Sequence, residues 1–347
     1  MSKKKIFDFV IGNPPYQGEN QTNGRQPPVY NIFMDGAFSV ADIVELITPA
    51  RFLFNAGQTP EDWNKKMLED GHFKILDYQP DSSKVFSNTD IKGGVAISYR
   101  CDNKEFGAIG VFTTFPELNT ILKKTKNVDI NNSSLSTLIQ AQGLYRFSDK
   151  FMAQHPELSE KTGKGTGAKI TSKVVERMPS VFLVNDPLST TFVKILSRSS
   201  NGNRIYRYIK KEYLQENEFL MSYNVLVPES NGSGAIGEVL STPLIGTPLI
   251  GHSDTFLTIG SFKNENEALA CLKYVKTKYA RVMLGVLKAT QHNPASTWKY
   301  VPLQDFTPSS DIDWSKSIHD IDLQLYKKYG LDQHEIDFIE TNVKEMN

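Results

Sequence analysis

The sequence predicts an α/β protein in three parts: strands alternating with helices through the first third, a loop-rich mixed α+β region, and a helical tail. Three observations carry this. Phe7-Asp8-Phe9-Val10-Ile11-Gly12 alternates around apolar residues and reads as a short buried strand. Apolar runs at 41–47, 72–78 and 93–99 read as further strands, with helical patterns between the earlier ones. Beyond about Asn127 the texture changes, and strand-like runs are separated by clusters of Gly, Ser and Asn.

The first strand stops at Asn13-Pro14-Pro15-Tyr16, because two successive prolines offer no N–H to a ladder. These residues therefore fall on a stiff loop at the strand's C-terminal end, where ligands bind in open α/β sheets. The polar stretch 17–28, rich in Gln, Asn and Gly, reads as a mobile loop over that position. Pro27-Pro28-Val29-Tyr30 matches the PPxY pattern of WW-domain ligands. It reads better as a helix start, with Tyr30, Phe33 and Ala37 on one face. Thr48-Pro49 ends the second strand, a helix is expected over 59–70, and Val85-Phe86 precedes the strand at 93–99. Thr242-Pro-Leu-Ile-Gly is repeated at once from Thr247, a single duplication and not a repeat architecture. In the tail, Leu323, Tyr326 and Leu331 are apolar beside Lys327 and Lys328, which are expected to be exposed. Gly330 can end one helix, and Asp332 with Glu335 has capping-box spacing for the next.

Asn13 offers a side-chain carbonyl oxygen. The carbonyl of Pro14 is a second acceptor, held by restricted φ on both sides. Two fixed acceptors can take both hydrogen bonds of one exocyclic amino group and leave its lone pair pointing outward. Tyr16 adds a flat face for a stacked ring. Such a loop suits a nucleobase taken out of its helix. Asn-Pro-Pro-Tyr after a hydrophobic strand resembles the catalytic motif of the DNA amino-methyltransferases that act on adenine N6. The run from Phe7 to Gln17 resembles the type II restriction–modification branch, including enzymes that fuse methylation and cleavage. The resemblance implies a partial Rossmann-like methyltransferase sheet, catalytic roles for Asn13, Pro14, Pro15 and Tyr16, and S-adenosylmethionine as methyl donor. It also implies that Phe86 stacks on the flipped adenine from the face opposite Tyr16; a core position for Phe86 is the competing reading. Residues 48–53 resemble the family's following motif, and 254–257, 276–279 and 290–293 its target-recognition region. Cytosine N4 is the rival amine, and the aromatic-flanked tetrad favours adenine.

The chain has 39 Lys and Arg against 39 Asp and Glu, so its formal charge is zero. The distribution is uneven. Residues 161–288 hold 17 basic and 10 acidic residues, whereas 305–347 hold 4 basic and 10 acidic. A basic middle can carry phosphate contacts; solvated charged faces are the competing reading. Within it Arg198, Arg204, Arg207, Lys210 and Lys211 interleave with Tyr206, Tyr208 and Tyr213, a mixture that can grip phosphates and approach base edges. Gln291 and His292 fall in a loop placed to lie on DNA, although a lone loop histidine is more often satisfied locally. Double-stranded DNA is the expected partner. Cys101 and Cys271 are too few for a disulfide scaffold or a metal site. No apolar run reaches the ~18 residues needed to span a bilayer. No secretory signal is visible, so a cytoplasmic location is expected.

A cofactor cradle is harder to find. In the resembled family the S-adenosylmethionine motif is a strand entering a Gly-x-Gly loop upstream of Asn-Pro-Pro-Tyr, and here only five residues precede Ile6. Downstream, Gly232-Ser-Gly234-Ala-Ile-Gly237 has literal Gly-x-Gly-x-x-Gly spacing. Pro228 separates it from the preceding strand and Pro243 allows barely one helical turn, so a hairpin loop is expected there. Gly163-Lys-Gly165-Thr-Gly167 has no strand before it. The expectation is therefore a site-specific adenine-N6 methyltransferase of a restriction–modification system. Residues 1–122 form its catalytic half, 123–304 a target-recognition domain and 305–347 a helical tail. A second polypeptide would supply the cofactor-binding half or a restriction subunit. The alternative is a non-catalytic DNA-recognition subunit, or a truncated relic of a split enzyme. No nuclease signature, such as Pro-Asp followed by Glu-x-Lys, is legible.

Overall fold

The computed structural model describes residues 5–18, 26–54, 58–87, 91, 93–129, 133–140, 142–157, 168–232, 236–288 and 291–346. The glycine run at 163–167, the centre of the glycine stretch at 233–235, and Thr290 lie outside the described residues. The chain divides into two compact units, Met1–Asn119 and Thr120–Asn347.

In the first unit, β1 (Phe7–Gly12), α1 (Tyr30–Val40), β2 (Ala41–Pro49), α2 (Glu61–Glu69), β3 (Phe73–Gln79) and β4 (Val95–Cys101) follow in order, and the strands form one sheet, β1-β2-β4-β3. β1 and β2 are parallel, which requires a crossover, and α1 supplies it. β4 runs antiparallel to both β2 and β3. One face of the sheet (Val44, Leu46, Phe73, Ala96) packs with Tyr30 and Met34 of α1 and Trp63 and Met67 of α2.

The structure corrects the sequence reading at two places here. β1 is an edge strand, not a buried one: Phe7, Phe9 and Ile11 are 53, 46 and 69 % exposed, and only β2 pairs with β1 among the described residues. The apolar alternation is real, because Val10 turns against the core. Its other face is uncovered among the described residues, and sequence periodicity cannot tell covered from uncovered. On α1, Met34 rather than Phe33 follows Tyr30 inward, at i+4, while Phe33 stays 48 % exposed. The helix expected over 59–70 is α2, shortened because Pro60 stands at its N-cap position.

α3 (Pro116–Val128) leads into the second unit. There follow β5 (Ile139–Gln140), α4 (Asp149–Gln154), α5 (Ser172–Arg177), β6 (Phe192–Arg198), β7 (Arg204–Lys210), β8 (Tyr223–Pro228), β9 (Leu244–Gly246), β10 (Ile250–His252), β11 (Phe256–Phe262), α6 (Glu265–Lys276), α7 (Lys278–Leu284), α8 (Ile318–Lys328) and α9 (Gln333–Asn342). The strands make two sheets, β10-β6-β7 and β5-β11-β8-β9. The duplicated pentapeptide is divided between them. Its first copy forms β9, antiparallel to β8, and its second leads into β10, parallel to β6. The fold class is thus the α/β, mixed and helical-tailed one that the sequence predicts.

In the tail, Ile321, Leu325 and Tyr326 of α8 are buried, whereas Leu323, expected in the apolar set, is 48 % exposed. Lys328 is only partly exposed and reaches Asp311 at 2.9 Å and Gln304 Oε1 at 2.9 Å. Gly330 ends α8 in the left-handed region, φ 63°, and Leu331 N–H closes back on Tyr326 O at 3.0 Å. Asp332 and Glu335 form the reciprocal capping box of α9.

α7 starts on a carboxylate from α8: the two oxygens of Asp322 accept the backbone N–H groups of Lys278 and Tyr279, each at 2.9 Å. Burial nevertheless pushes the Asp322 pKa up to about 6, above its ordinary value near 3.8. A raised carboxyl pKa means that the folded state holds the proton longer than the unfolded chain. The residue therefore costs nothing below about pH 4, and its destabilising contribution grows as pH rises to 6, reaching about 3 kcal/mol. In denaturant titrations from pH 4 to 7, Asp322→Asn is expected to lose this part of the pH dependence. The variant also loses one N–H acceptor and is less stable at pH 4. A parallel pH dependence in both proteins would remove Asp322 as the cause.

Candidate active site

The strand directions decide where the motif lies. β1 and β2 run together, β4 opposes β2 and β3, and so the C-terminal ends of β1, β2 and β3 share one end of the sheet with the start of β4. The loops that follow these three strands gather there. They carry Asn13 to Tyr16, Arg51 to Phe54 and Pro80 to Ser87. Gly94 stitches this end together: its carbonyl accepts the Ala50 N–H at 3.0 Å. Its φ is +75°, and an added Cβ would stand 2.4 Å from the Gln79 carbonyl oxygen, so a side chain here is excluded twice.

Asn13 is exposed at the tip of β1, Pro14 is half-buried and Pro15 exposed. Tyr16 is half-buried and packs against the core. Among the described residues its hydroxyl is buried without a hydrogen-bond partner, and burial pushes its pKa up to about 12, so it stays protonated. The Thr48 hydroxyl, near the C-terminal end of β2, is likewise buried and unpartnered among the described residues. The loop after Tyr16 is pinned at both ends: Val29 N–H donates to Tyr16 O at 3.1 Å, Gly18 N–H to Pro27 O at 2.9 Å, and Gln17 bridges Pro28. Residues 19–25, the centre of the loop expected over the site, lie outside the described residues.

Phe86 is brought to the same place. A short turn at Ser82–Lys84, capped by Asp81 through Ser83 N–H, leads to it, and Phe86 N–H donates to Ser82 O at 2.8 Å. Its ring meets that of Tyr16 edge-on, with centroids 6.4 Å apart and planes at 69°. This is a favourable aromatic pair, but it leaves no parallel slot for a base between the two rings.

In the second unit the basic and aromatic residues are sorted by the pleat. Lys194, Tyr206, Tyr208 and Lys210 share one face of the β6–β7 pair, and Lys194 lies opposite Tyr208. Lys194 Nζ stands 4.4 Å from the Tyr206 ring centroid and 6.0 Å from that of Tyr208. Arg207 is on the other face, beside Ile205 and Ile209, which pack with the core. Arg204 donates to the carbonyls of Ser241 and Thr242, and Arg198 to that of Gly202 at 2.9 Å. Both guanidinium groups also cover the Phe256 ring, at 5.7 Å for Arg198 and 5.6 Å for Arg204. Burial, then the neighbouring Arg198, lowers the Arg204 pKa. Lys210 and Lys211 line a cavity of ≈ 1070 Å³ together with Glu212, Glu216 and Glu218, a mixed-charge wall. His292 is held by the Glu229 carboxylate, Nδ1 to Oε1 3.0 Å, and the Gln291 carbonyl accepts the Asn231 N–H at 2.7 Å. The structure thus joins Lys210 to Lys194, which sequence reading did not single out, and separates it from Arg207. The signal was available in the period-2 register of the strand.

The first unit is thus an α/β sheet whose strand-end loops bring Asn13 to Tyr16 and Phe86 to one end. Comparison with known proteins gives it a family context. Residues 1–86 match the sequence model of the Eco57I restriction-modification methylase family. The chain is similar to a Mycoplasma pneumoniae protein described as an uncharacterized adenine-specific methylase, 26 % identical over 137 residues, which cover 38 % of this chain and 31 % of that protein. It is also similar to two solved structures at 10 % identity, each over 96 % of this chain. These are the type IIG restriction endonuclease BpuSI (53 % of that chain, TM-score 0.33) and the type IIL restriction-modification enzyme MmeI in complex with DNA (56 %, 0.36). The match to the family model covers residues 1–86, about a quarter of the chain. The chain spans about a third of the curated relative and about half of the two structures.

Proposed function

We propose that this chain carries the base-binding and target-recognition parts of a DNA adenine-N6 methyltransferase of a restriction–modification system. The observation that carries this reading is the Asn13–Tyr16 loop at the shared C-terminal end of β1 and β2, with Phe86 beside Tyr16. Asn13 Oδ1 and the Pro14 carbonyl accept the two N–H bonds of the adenine amine. As that nitrogen becomes positive in the transition state, the two fixed acceptors stabilise it. Tyr16 stacks on the extruded base, and Phe86 turns from its edge-on contact to the second face. Each stack is worth ~1–3 kcal/mol, comparable to the few kcal/mol needed to extrude a base.

S-adenosylmethionine would supply the methyl group, but the described residues do not fit it. The connection that holds Gly232 and Gly237 joins two antiparallel strands, β8 and β9, and no helix follows it before β9 among the described residues. The cofactor-binding half is therefore assigned to further polypeptide, docked on the open edge of β1. Residues 1–122 act as the catalytic half, 123–304 as the DNA-recognition domain and 305–347 as a supporting tail, in a cytoplasmic enzyme acting on duplex DNA. That no cradle is found among the described residues also supports a second reading, a DNA-recognition subunit without catalysis of its own. Methyl transfer to duplex DNA in the presence of the cofactor-binding polypeptide separates the two. Label on adenine N6 supports the enzyme, and DNA binding without label supports the subunit.

The shared face of Lys194 and Lys210 supports these two as the cations that meet DNA. Lys194→Ala with Lys210→Ala is expected to lower the slope of log affinity against log salt by about 2. Arg204→Ala mainly costs stability, because its guanidinium serves two backbone carbonyls. Gel-shift titrations across salt read the difference. An unchanged slope in the double lysine variant would turn this face to solvent.

A further inference from the structure

One basic cluster in the second unit belongs to none of the sites above. Lys126, in the last turn of α3, and Lys299 both stand over the ring of Tyr300, with Nζ 5.2 and 5.5 Å from its centroid. They line a cavity of ≈ 360 Å³ together with Ser133, Ser134, Thr125 and Asp129. Lys126 is half-buried, yet neither lysine has an ion-pair partner among the described residues. The charges acting on Lys126 are consistent with this: burial first, and then the like charge of Lys299, lower its pKa. Asp129 lines the same cavity, and its charge acts on the buried phenols of Tyr274 and Tyr279. Two lysines against one carboxylate leave the cavity positive. Thr125 and Ser134 spend their hydroxyls on Ile121 O and Trp298 O. Ser133 gives its backbone carbonyl to Leu303 N–H, and its hydroxyl is free to donate among the described residues.

We propose that Lys126, Lys299 and Ser133, gathered around Tyr300, form a phosphate-binding site. Two ammonium groups held together over one ring repel each other, and an oxyanion between them removes that repulsion. A simpler role for Lys126, offsetting the carbonyls at the end of α3, does not account for Lys299 beside it. The phosphate is either a phosphodiester of a nucleic-acid backbone or a free phosphate group.

The test uses the full chain, wild type and Lys126→Met/Lys299→Met, which keeps the apolar stems and removes both charges. Each protein is titrated with inorganic phosphate by calorimetry and with a DNA duplex by gel shift across salt. A backbone phosphodiester is indicated if the double variant loses about 1–2 units of salt slope on the duplex. A free phosphate is indicated if phosphate binding is lost while the duplex slope stays the same. Unchanged behaviour towards both ligands overturns the proposal. A footprint on the wild-type protein keeps the proposal testable even when the variant fails to fold. Phosphate or duplex should slow acetylation of Lys126 and Lys299 relative to exposed Lys123, and equal rates overturn the site. Methyl transfer does not enter either readout, so failure of the methyltransferase reading and failure of this site are told apart.

Discussion

Asn13→Ala is expected to lower methyl transfer at least a hundredfold while leaving duplex binding within about twofold of wild type. The size follows from the role. Removing one preorganised polar group aimed at developing charge typically costs ~10²–10³ in turnover. The selectivity follows from position. Asn13 is exposed at the end of β1, in a different compact unit from the basic β6–β7 face, and among the described residues it makes no hydrogen bond on which the fold depends. The change should therefore leave stability within about 0.5 kcal/mol. The assay is tritiated-methyl incorporation into duplex DNA with the cofactor-binding polypeptide present, alongside a gel shift. Asn13→Asp, which keeps a side-chain acceptor, should fall less than Asn13→Ala. Activity of Asn13→Ala above a tenth of wild type would remove Asn13 from the chemical step.

The motif was legible because its physics is local. Two prolines after an alternating strand force a stiff loop at a strand end, and the structure has that loop. The capping box at Asp332 and Glu335 and the stop at Gly330 were legible for the same reason: each depends on a few neighbouring residues. What escaped depends on distant chain. Whether the Phe7 strand is covered is decided by what lies beside it, and its own alternation is the same either way. Phe33 and Met34 compete for one helix face, and the tertiary core chose Met34. The five basic residues between Arg198 and Lys211 look equivalent in sequence. Pairing with β6 and the carbonyls of Ser241 and Thr242 make them different: Arg204 becomes a brace, Arg207 lies half-buried on the opposite face of the strand, and Lys210 shares a face with Lys194.

The chain by itself is expected to self-associate and to transfer no methyl groups, and a cofactor-binding polypeptide is expected to convert it into a defined heteromer. The argument rests on β1. Its outer edge has unpaired N–H and C=O groups among the described residues, flanked by Ile6, Phe7, Phe9 and Ile11, all 46–75 % exposed. An apolar open edge of this kind recruits another strand. Each large side chain moved from full exposure to full burial contributes about 1.5–3 kcal/mol. Four such residues, already partly covered, offset only part of an association cost of about 4–15 kcal/mol. Edge hydrogen bonding and the rest of the interface must supply the remainder, so small local losses should show clearly. Phe9→Asp with Ile11→Lys places two charges on that edge. Both side chains are exposed in the chain alone, so its melting temperature should change little. The heteromer should weaken by more than tenfold, and self-association should fall with it. Analytical ultracentrifugation of each protein, alone and with the cofactor-binding polypeptide, reads both effects. A monomer that methylates adenine unaided, or a heteromer indifferent to both substitutions, would mean that β1 is not where the cofactor half docks.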